Sequence, residues 1–314
     1  MKFIKLYESF DDINIICSKY GIQNYTINSD GSIDVDGNVN LFSRGLTKLP
    51  LKFGNVSGYF DCGNNNLISL EGCPQSVGGN FNCYSNKLTI LEGCPRSVVG
   101  NFHCGKNKLT TLQGSPQLVC GYFDCNDNLL TTLEGCPLSV GDFYCDENEL
   151  TTLEGCPQSV GGNFTCDVNK LTTLEFCPQS VGGNFYCNTN ELITLEGCPQ
   201  SVGGSFYCGG NELITLEGCP LSVGKEFYFQ DNKLKDLYGF PEFFDNDIYY
   251  SVNPVSEILD FFGTRIGKVI DLLNEYDVIQ KDGKLVILDR LEEVFYTLNM
   301  DIPREINLKN YEVY

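Results

Sequence analysis

The sequence predicts a mainly β repeat solenoid with a parallel concave sheet, a non-helical convex side and a small cap at each end. Three observations carry this. A shift of 20 or 21 residues lays the central part of the chain nearly onto itself. The unit Phe-x-Cys-x-x-Asn-x-Leu-x-x-Leu-x-x-Cys-Pro recurs from Phe60, Phe81, Phe102, Phe123, Phe143, Phe164, Phe185 and Phe206, with a degenerate copy at Phe227. No stretch inside the unit is long enough for an amphipathic helix, so its return path is extended or 3₁₀-like. A fixed period of this size marks a coil whose turns bury a core only against one another.

The chain of 314 residues is 42% hydrophobic, which fits a folded core. Its net charge of −20 argues against binding nucleic-acid phosphates or anionic membrane surfaces. The first residues, Met1 to Ser9, lack the apolar core of a signal peptide, and there is no run of 18 apolar residues to span a membrane. A cytoplasmic location is expected, the host-cell cytoplasm if the gene is viral.

Residues 1–38 read as an N-terminal cap. A helix is expected over about Tyr7–Tyr20, with Phe10, Ile13, Ile15, Ile16 and Tyr20 apolar and Gly21 as its stop. Two alternating runs, Tyr25–Asn28 and Ile33–Asp36, flank Ser29-Asp30-Gly31-Ser32, a hairpin signal. Helix and hairpin together are expected to cover the open edge of the first strand. Val39, Leu41, Leu46 and Leu49 then match the repeat without its cysteines, so the array is taken as residues 39–240, about ten repeats.

Within a repeat, side chains alternate along the strand, so Phe and Cys point inward and the residue between them points out. Three residues past each Cys stands an asparagine, among them Asn86, Asn107, Asn169 and Asn190, suited to bond the backbone of the turn and to stack as a ladder. Leu-x-x-Leu crosses back and Cys-Pro closes the coil. Elsewhere an extra residue intervenes before the strand, a glycine in Val160-Gly161-Gly162-Asn163-Phe164, whereas Val140-Gly141-Asp142-Phe143 is one residue shorter. The extra glycine reads as a bulge at positive φ, and the approach to the strand should tighten at Asp142 alone.

Seventeen cysteines suggest a disulfide framework until their positions are compared. One column, including Cys83, Cys104, Cys166 and Cys187, and a second from Cys73 to Cys219 follow the repeat period; Ser115 and Phe229 replace members of the two columns. Such swaps suit buried packing by free thiols, and bonds between in-register parallel neighbours would be strained. Metal ligation needs closely spaced ligands, and the chain has one histidine, His103, so no metal or other cofactor is expected.

Phe-x-Cys-x-x-Asn-x-Leu-x-x-Leu resembles the leucine-rich-repeat signature. The tail Leu-x-x-Cys-Pro is similar to the short repeats of bacterial effectors of that family, and the whole arrangement resembles repeat proteins of large bacteriophages and giant viruses. The resemblance covers residues 39–240 and implies a right-handed coil that binds protein. Some effectors of this kind carry a cysteine-dependent ubiquitin ligase; neither Cys nor His follows Gly239 here, so that activity does not carry over.

Residues 241–314 read as a small, mainly helical module. Asn253-Pro254 is expected to cap a helix to Phe262, Thr264 to open a second, Val278–Ile287 to form a hairpin at Asp282-Gly283, and Asp289 to start a third helix.

Function falls to the residues that do not repeat. The outward row runs Asp61, Asn82, His103, Asp124, Tyr144, Thr165, Tyr186, Tyr207 and Tyr228, with Asp142, Asp146, Glu147 and Asp167 beside it. Tyrosines with a charged rim fit protein recognition, although exposed tyrosines also merely suit strands. A glutamate file (Glu71, Glu92, Glu134 and on to Glu217) reads as a solvated face, and paired threonines from Thr110-Thr111 onward read as a product of duplication more than as an ice-binding array. No Ser-His-Asp set, phosphate loop or zinc motif appears, so the chain is expected to be no enzyme. A partner protein on the concave face is the favoured reading; the alternative is a structural or virion-associated spacer that docks through its C-terminal module.

Overall fold

The computed structural model describes residues 10–241, 244, 247–263, 266–280 and 283–314. Two compact units divide the chain, Met1–Thr165 and Cys166–Tyr314. Both are built from the same parallel coil.

In the first unit, helix α1 (Phe10–Tyr20) is followed by the antiparallel pair Tyr25–Ile27 and Ile33–Val35. The helix ends where expected; Tyr7 lies outside the described residues. The hairpin does not cover the edge of the Phe-x-Cys sheet. Ile33–Val35 instead pairs with Phe53–Val56 and opens a second sheet, which continues through Ser76–Val77, Ser97–Val98 and Leu118–Val119. Ser139–Val140 and Ser159–Val160 pair in the same manner. Each Ser-Val pair is thus a short strand whose valine is buried while its serine faces outward.

The other sheet of this unit runs from Val39–Asn40 through the Phe-x pairs to Phe164–Thr165, all parallel and in register. Register places like on like. Phe60, Phe81 and Phe102 stack with centroids 5.7 and 5.5 Å apart and planes at 7°. Each of these phenylalanines is fully buried, as are Leu67, Leu70 and their counterparts. Burial is worth about 1.5–3 kcal/mol per such side chain, and ring pairing adds about 0.5–1.5 kcal/mol.

The asparagines form the expected ladder. Asn86 Oδ1 accepts the Leu67 N–H at 2.9 Å, and its Nδ2 donates to the carbonyls of Cys62 and Cys83, both at 3.1 Å. One amide therefore ties two turns. The residue before it takes positive φ (Ser85 +55°, Lys106 +54°, Thr189 +54°), which swings the amide into the coil.

The short repeat is tighter. Two residues separate Val140 from Phe143, against three between Val160 and Phe164. Gly141 N–H donates to Gly121 O and Gly162 N–H to Gly141 O, so the residue dropped is the one directly after valine. Neither Gly161 nor Gly162 has positive φ, contrary to expectation. Glycine serves close approach instead: a Cβ on Gly162 would lie 2.2 Å from Asp142 Oδ1. Positive φ belongs to the glycine before Cys-Pro, as at Gly135 (+94°) and Gly155 (+84°).

In the second unit one parallel sheet runs through Phe185–Tyr186, Phe206–Tyr207 and Phe227–Tyr228, and another through Ser180–Val181, Ser201–Val202 and Ser222–Val223. The coil continues past residue 240. Ile248–Tyr249 pairs in parallel with Phe227–Tyr228. Asn253 occupies the ladder position, accepting the Leu234 N–H at 3.1 Å and donating to Phe229 O and Tyr250 O. Val255 and Ile258 fill the two leucine slots and are fully buried.

Asn253 is therefore no helix cap: its side chain is committed to the ladder, and α2 spans only Ser256–Leu259. Helices α3 (Ile266–Glu275) and α4 (Leu288–Thr297) follow, and Leu285–Val286 pairs in parallel with Glu312–Val313. Thr264 and Asp282 lie outside the described residues; around the latter, Gln280 N–H to Leu285 O and Ile287 N–H to Val278 O bring the two arms together. The module is bonded to the last turns of the coil: Tyr311 Oη donates to Lys235 O at 2.7 Å, Tyr238 Oη to Asp277 at 2.6 Å, and Asn274 Nδ2 to Leu237 O.

Candidate functional site

The residue after each phenylalanine is the only one in its strand that faces outward, so the row of these residues is the candidate site. Its character differs between the units.

In the second unit the row is a tyrosine file. Parallel in-register strands hold Tyr186 over Tyr207 at 4.4 Å and 10°, Tyr207 over Tyr228 at 4.3 Å and 12°, and Tyr228 over Tyr249 at 4.2 Å and 2°. The first three are half-buried and Tyr249 is 45% exposed. Burial pushes the phenols of Tyr186 and Tyr228 up, the latter helped by Tyr249, so both stay protonated donors. Asn184 Nδ2 donates to Tyr186 Oη at 2.9 Å. Tyr249 was missed from sequence because cysteine and phenylalanine are both absent from its turn; its position 21 residues after Tyr228 was the available signal.

In the first unit the row reads Asp61, Asn82, His103, Asp124, Tyr144 and Thr165. Tyr84, His103, Tyr122 and Tyr144 meet edge to face, with centroids 5.7, 5.2 and 5.9 Å apart. Tyr84 and Tyr122 flank the outward row and were not singled out from sequence. Asp124 is buried, which pushes its carboxyl up, while the Asn126 N–H and His103 hold it down.

The acidic residues expected to form a rim divide by role. Asp142 Oδ1 accepts the Asn163 N–H at 2.6 Å, and Asp167 Oδ1 accepts both the Asn188 N–H (2.6 Å) and its Nδ2 (3.2 Å). These two hold the next turn. Asp146 is half-buried and Glu147 exposed, with φ +53°. The threonine pairs also divide: Thr152, Thr173, Thr194 and Thr215 accept the backbone N–H two residues on, that of the glutamate file, and so close the turn.

The inward cysteines Cys83, Cys166 and Cys187 donate Sγ–H to the carbonyls of His103, Tyr186 and Tyr207 at 3.3–3.4 Å, and Cys104 is buried beside Cys83. Burial pushes the thiols of Cys83, Cys104 and Cys187 well up, which suppresses nucleophilic chemistry. Among the described residues no group of three or more His, Cys, Asp or Glu side chains is placed to hold a metal ion, and no helix is long and apolar enough to cross a membrane.

No family model matches the chain, and no curated protein matches it. Among solved structures, YopM from Yersinia enterocolitica WA-314 is similar, at 21% identity and a TM-score of 0.47 over 69% of this chain and 56% of that chain. The chain thus spans little more than half the length of that structure. The repeat geometry itself defines a parallel β-coil of leucine-rich-repeat type.

Proposed function

We propose that the chain is a recognition scaffold that binds a partner protein on the outward, concave face of its Phe-x-Cys sheet. The tyrosine file Tyr186, Tyr207, Tyr228 and Tyr249 supports this reading. Stacking fixes these rings before any partner arrives, so little side-chain entropy is left to lose on binding. The scaffold positions repeat while this row varies, as expected of a surface that carries specificity. The Cys-Pro repeats fit the bacterial-effector and phage or giant-virus types, and free buried thiols fit a reducing cytoplasm.

Affinity capture from the native host with the full chain and with Tyr186→Ala/Tyr207→Ala tests the proposal. The double variant is expected to lose the partner; unaltered affinity would retire the face. In the spacer reading, the C-terminal module docks instead. The bonds from Tyr311, Tyr238 and Asn274 to the last turns favour a cap. A partner kept by the double variant but lost on Tyr296→Ala, whose residue is 62% exposed on α4, would favour docking through the module.

A further inference from the structure

The aromatic row around His103 differs from the tyrosine file in a way that bears on what it binds. In the file, each ring covers the faces of its neighbours. In the row Tyr84–His103–Tyr122–Tyr144, successive planes stand 81–88° apart, so faces meet edges and the electron-rich faces are less covered. Beside the row lies Asp124, 8% exposed. Its Oδ1 accepts the Asn126 N–H at 3.0 Å. Its Oδ2 stands 3.3 Å from His103 Nδ1, off the line of a hydrogen bond, and that nitrogen and Asn126 Oδ1 are both buried without a partner. Among the described residues no lysine or arginine pairs with Asp124.

A carboxylate this desolvated, with one hydrogen bond and an unused neighbouring acceptor, is incomplete without a cationic donor. Asp61 lies in the same outward row, and the chain carries a net charge of −20, so the field around the row also favours a cation. We propose that Tyr122, Asp124 and Tyr144, with His103 beside them, form a subsite for an arginine side chain of the partner protein; this deepens the recognition reading and rests on it. A guanidinium is planar and weakly hydrated. It lies against a tyrosine face and donates to a carboxylate at once, which an ammonium with its firm hydration shell does less well.

His103 borders the subsite. It is faced by Asn82 and Asp124 on the flanking strands and by the rings of Tyr84 and Tyr122.

His103 is the single histidine of the chain, so its imidazole resonances are assigned without further labelling. N-acetyl-arginine amide, N-acetyl-citrulline amide and N-acetyl-lysine amide are titrated into the full chain while those resonances are followed. The arginine probe is expected to give a saturable shift that citrulline does not. Asp124→Asn should weaken it about tenfold. No saturable shift, or an equal shift from citrulline, overturns the subsite; an equal shift from the lysine probe overturns the guanidinium assignment. If Asp124→Asn does not fold, the three probes on the native chain still decide. Loss of the captured partner on Tyr186→Ala/Tyr207→Ala without an arginine-specific shift sinks this subsite alone.

Discussion

Tyr228 and Tyr249 stack with their centroids 4.2 Å apart and their planes within 2°, although Tyr249 lies beyond the last recognisable repeat. The contact makes Ile248–Ile258 the opening half of a further turn of the coil and extends the tyrosine file by one ring. Tyr249 ends the file and Tyr228 has a ring on each side, so Tyr249→Ala removes one stacked contact and Tyr228→Ala removes two. At about 1 kcal/mol per ring pair, urea unfolding should show Tyr228→Ala costing roughly twice as much as Tyr249→Ala. Equal costs would mean that the rings are not coupled.

Asn86 offers a sharper test of what joins the turns. Asn86→Ala leaves the Leu67 N–H without its acceptor and takes from the Cys62 and Cys83 carbonyls one of two amide donors, Asn65 and Asn107 still reaching them. A loss of about 1–3 kcal/mol is expected. Asn86→Asp keeps the acceptor but turns a carboxylate oxygen toward two carbonyls. That arrangement favours the protonated acid and raises the folded-state pKa. The variant's stability relative to the native chain is therefore best below the ordinary carboxyl value of about 3.9 and falls as pH rises. Denaturant melts at low and neutral pH check the sign.

The fold was legible wherever one residue type served one buried position. Phe81 stacks on Phe102 and Asn86 binds the neighbouring turn because parallel register repeats each environment, so the period alone located both. The turn at Ile248 was hidden because isoleucine and tyrosine replace phenylalanine and cysteine, and Asn253-Pro254 also looks like a helix start. The Ser-Val strands were hidden because two residues show no alternation to read. At the candidate site, Tyr186, Tyr207 and Tyr228 were legible as an outward row, whereas the stacking that organises them depends on rotamers the pattern does not contain. Asp142 and Asp167 looked like rim charges; only their bonds to Asn163 and Asn188 reveal that they hold backbone.

Phe176 occupies the slot before Cys-Pro that neighbouring repeats give to glycine, at φ +72° and 60% exposed. A residue with a side chain is strained there by about 1–2 kcal/mol, and glycine gives back part of that through its greater backbone freedom. Phe176→Gly is expected to stabilise the chain by about 0.5–1 kcal/mol, seen as a higher melting temperature. Gly155→Ala should do the reverse, since its Cβ would meet Glu134 N at 2.5 Å and Leu133 C at 2.6 Å. A lower melting temperature for Phe176→Gly would show that the ring contributes more than the strain costs.

The thiols give the chain an alkaline limit. Burial pushes Cys83, Cys104, Cys125 and Cys187 well above the ordinary thiol value of 9.0, and Cys156 up to about 12. A raised folded-state pKa means that the folded coil keeps protons the unfolded chain has released. The stability this represents is complete below about pH 8.5 and is lost as pH rises toward the folded values. Melting temperature is therefore expected to fall steadily above pH 9, ahead of any change in neutral buffer. Reactivity should follow the same division. Cys120 is the one cysteine classed as exposed, so iodoacetamide under reducing conditions at pH 8 should modify it first in the folded chain, and all seventeen cysteines after denaturation. Rapid alkylation of Cys104 or Cys187 in the folded chain would show that the coil opens far more readily than its packed interior implies.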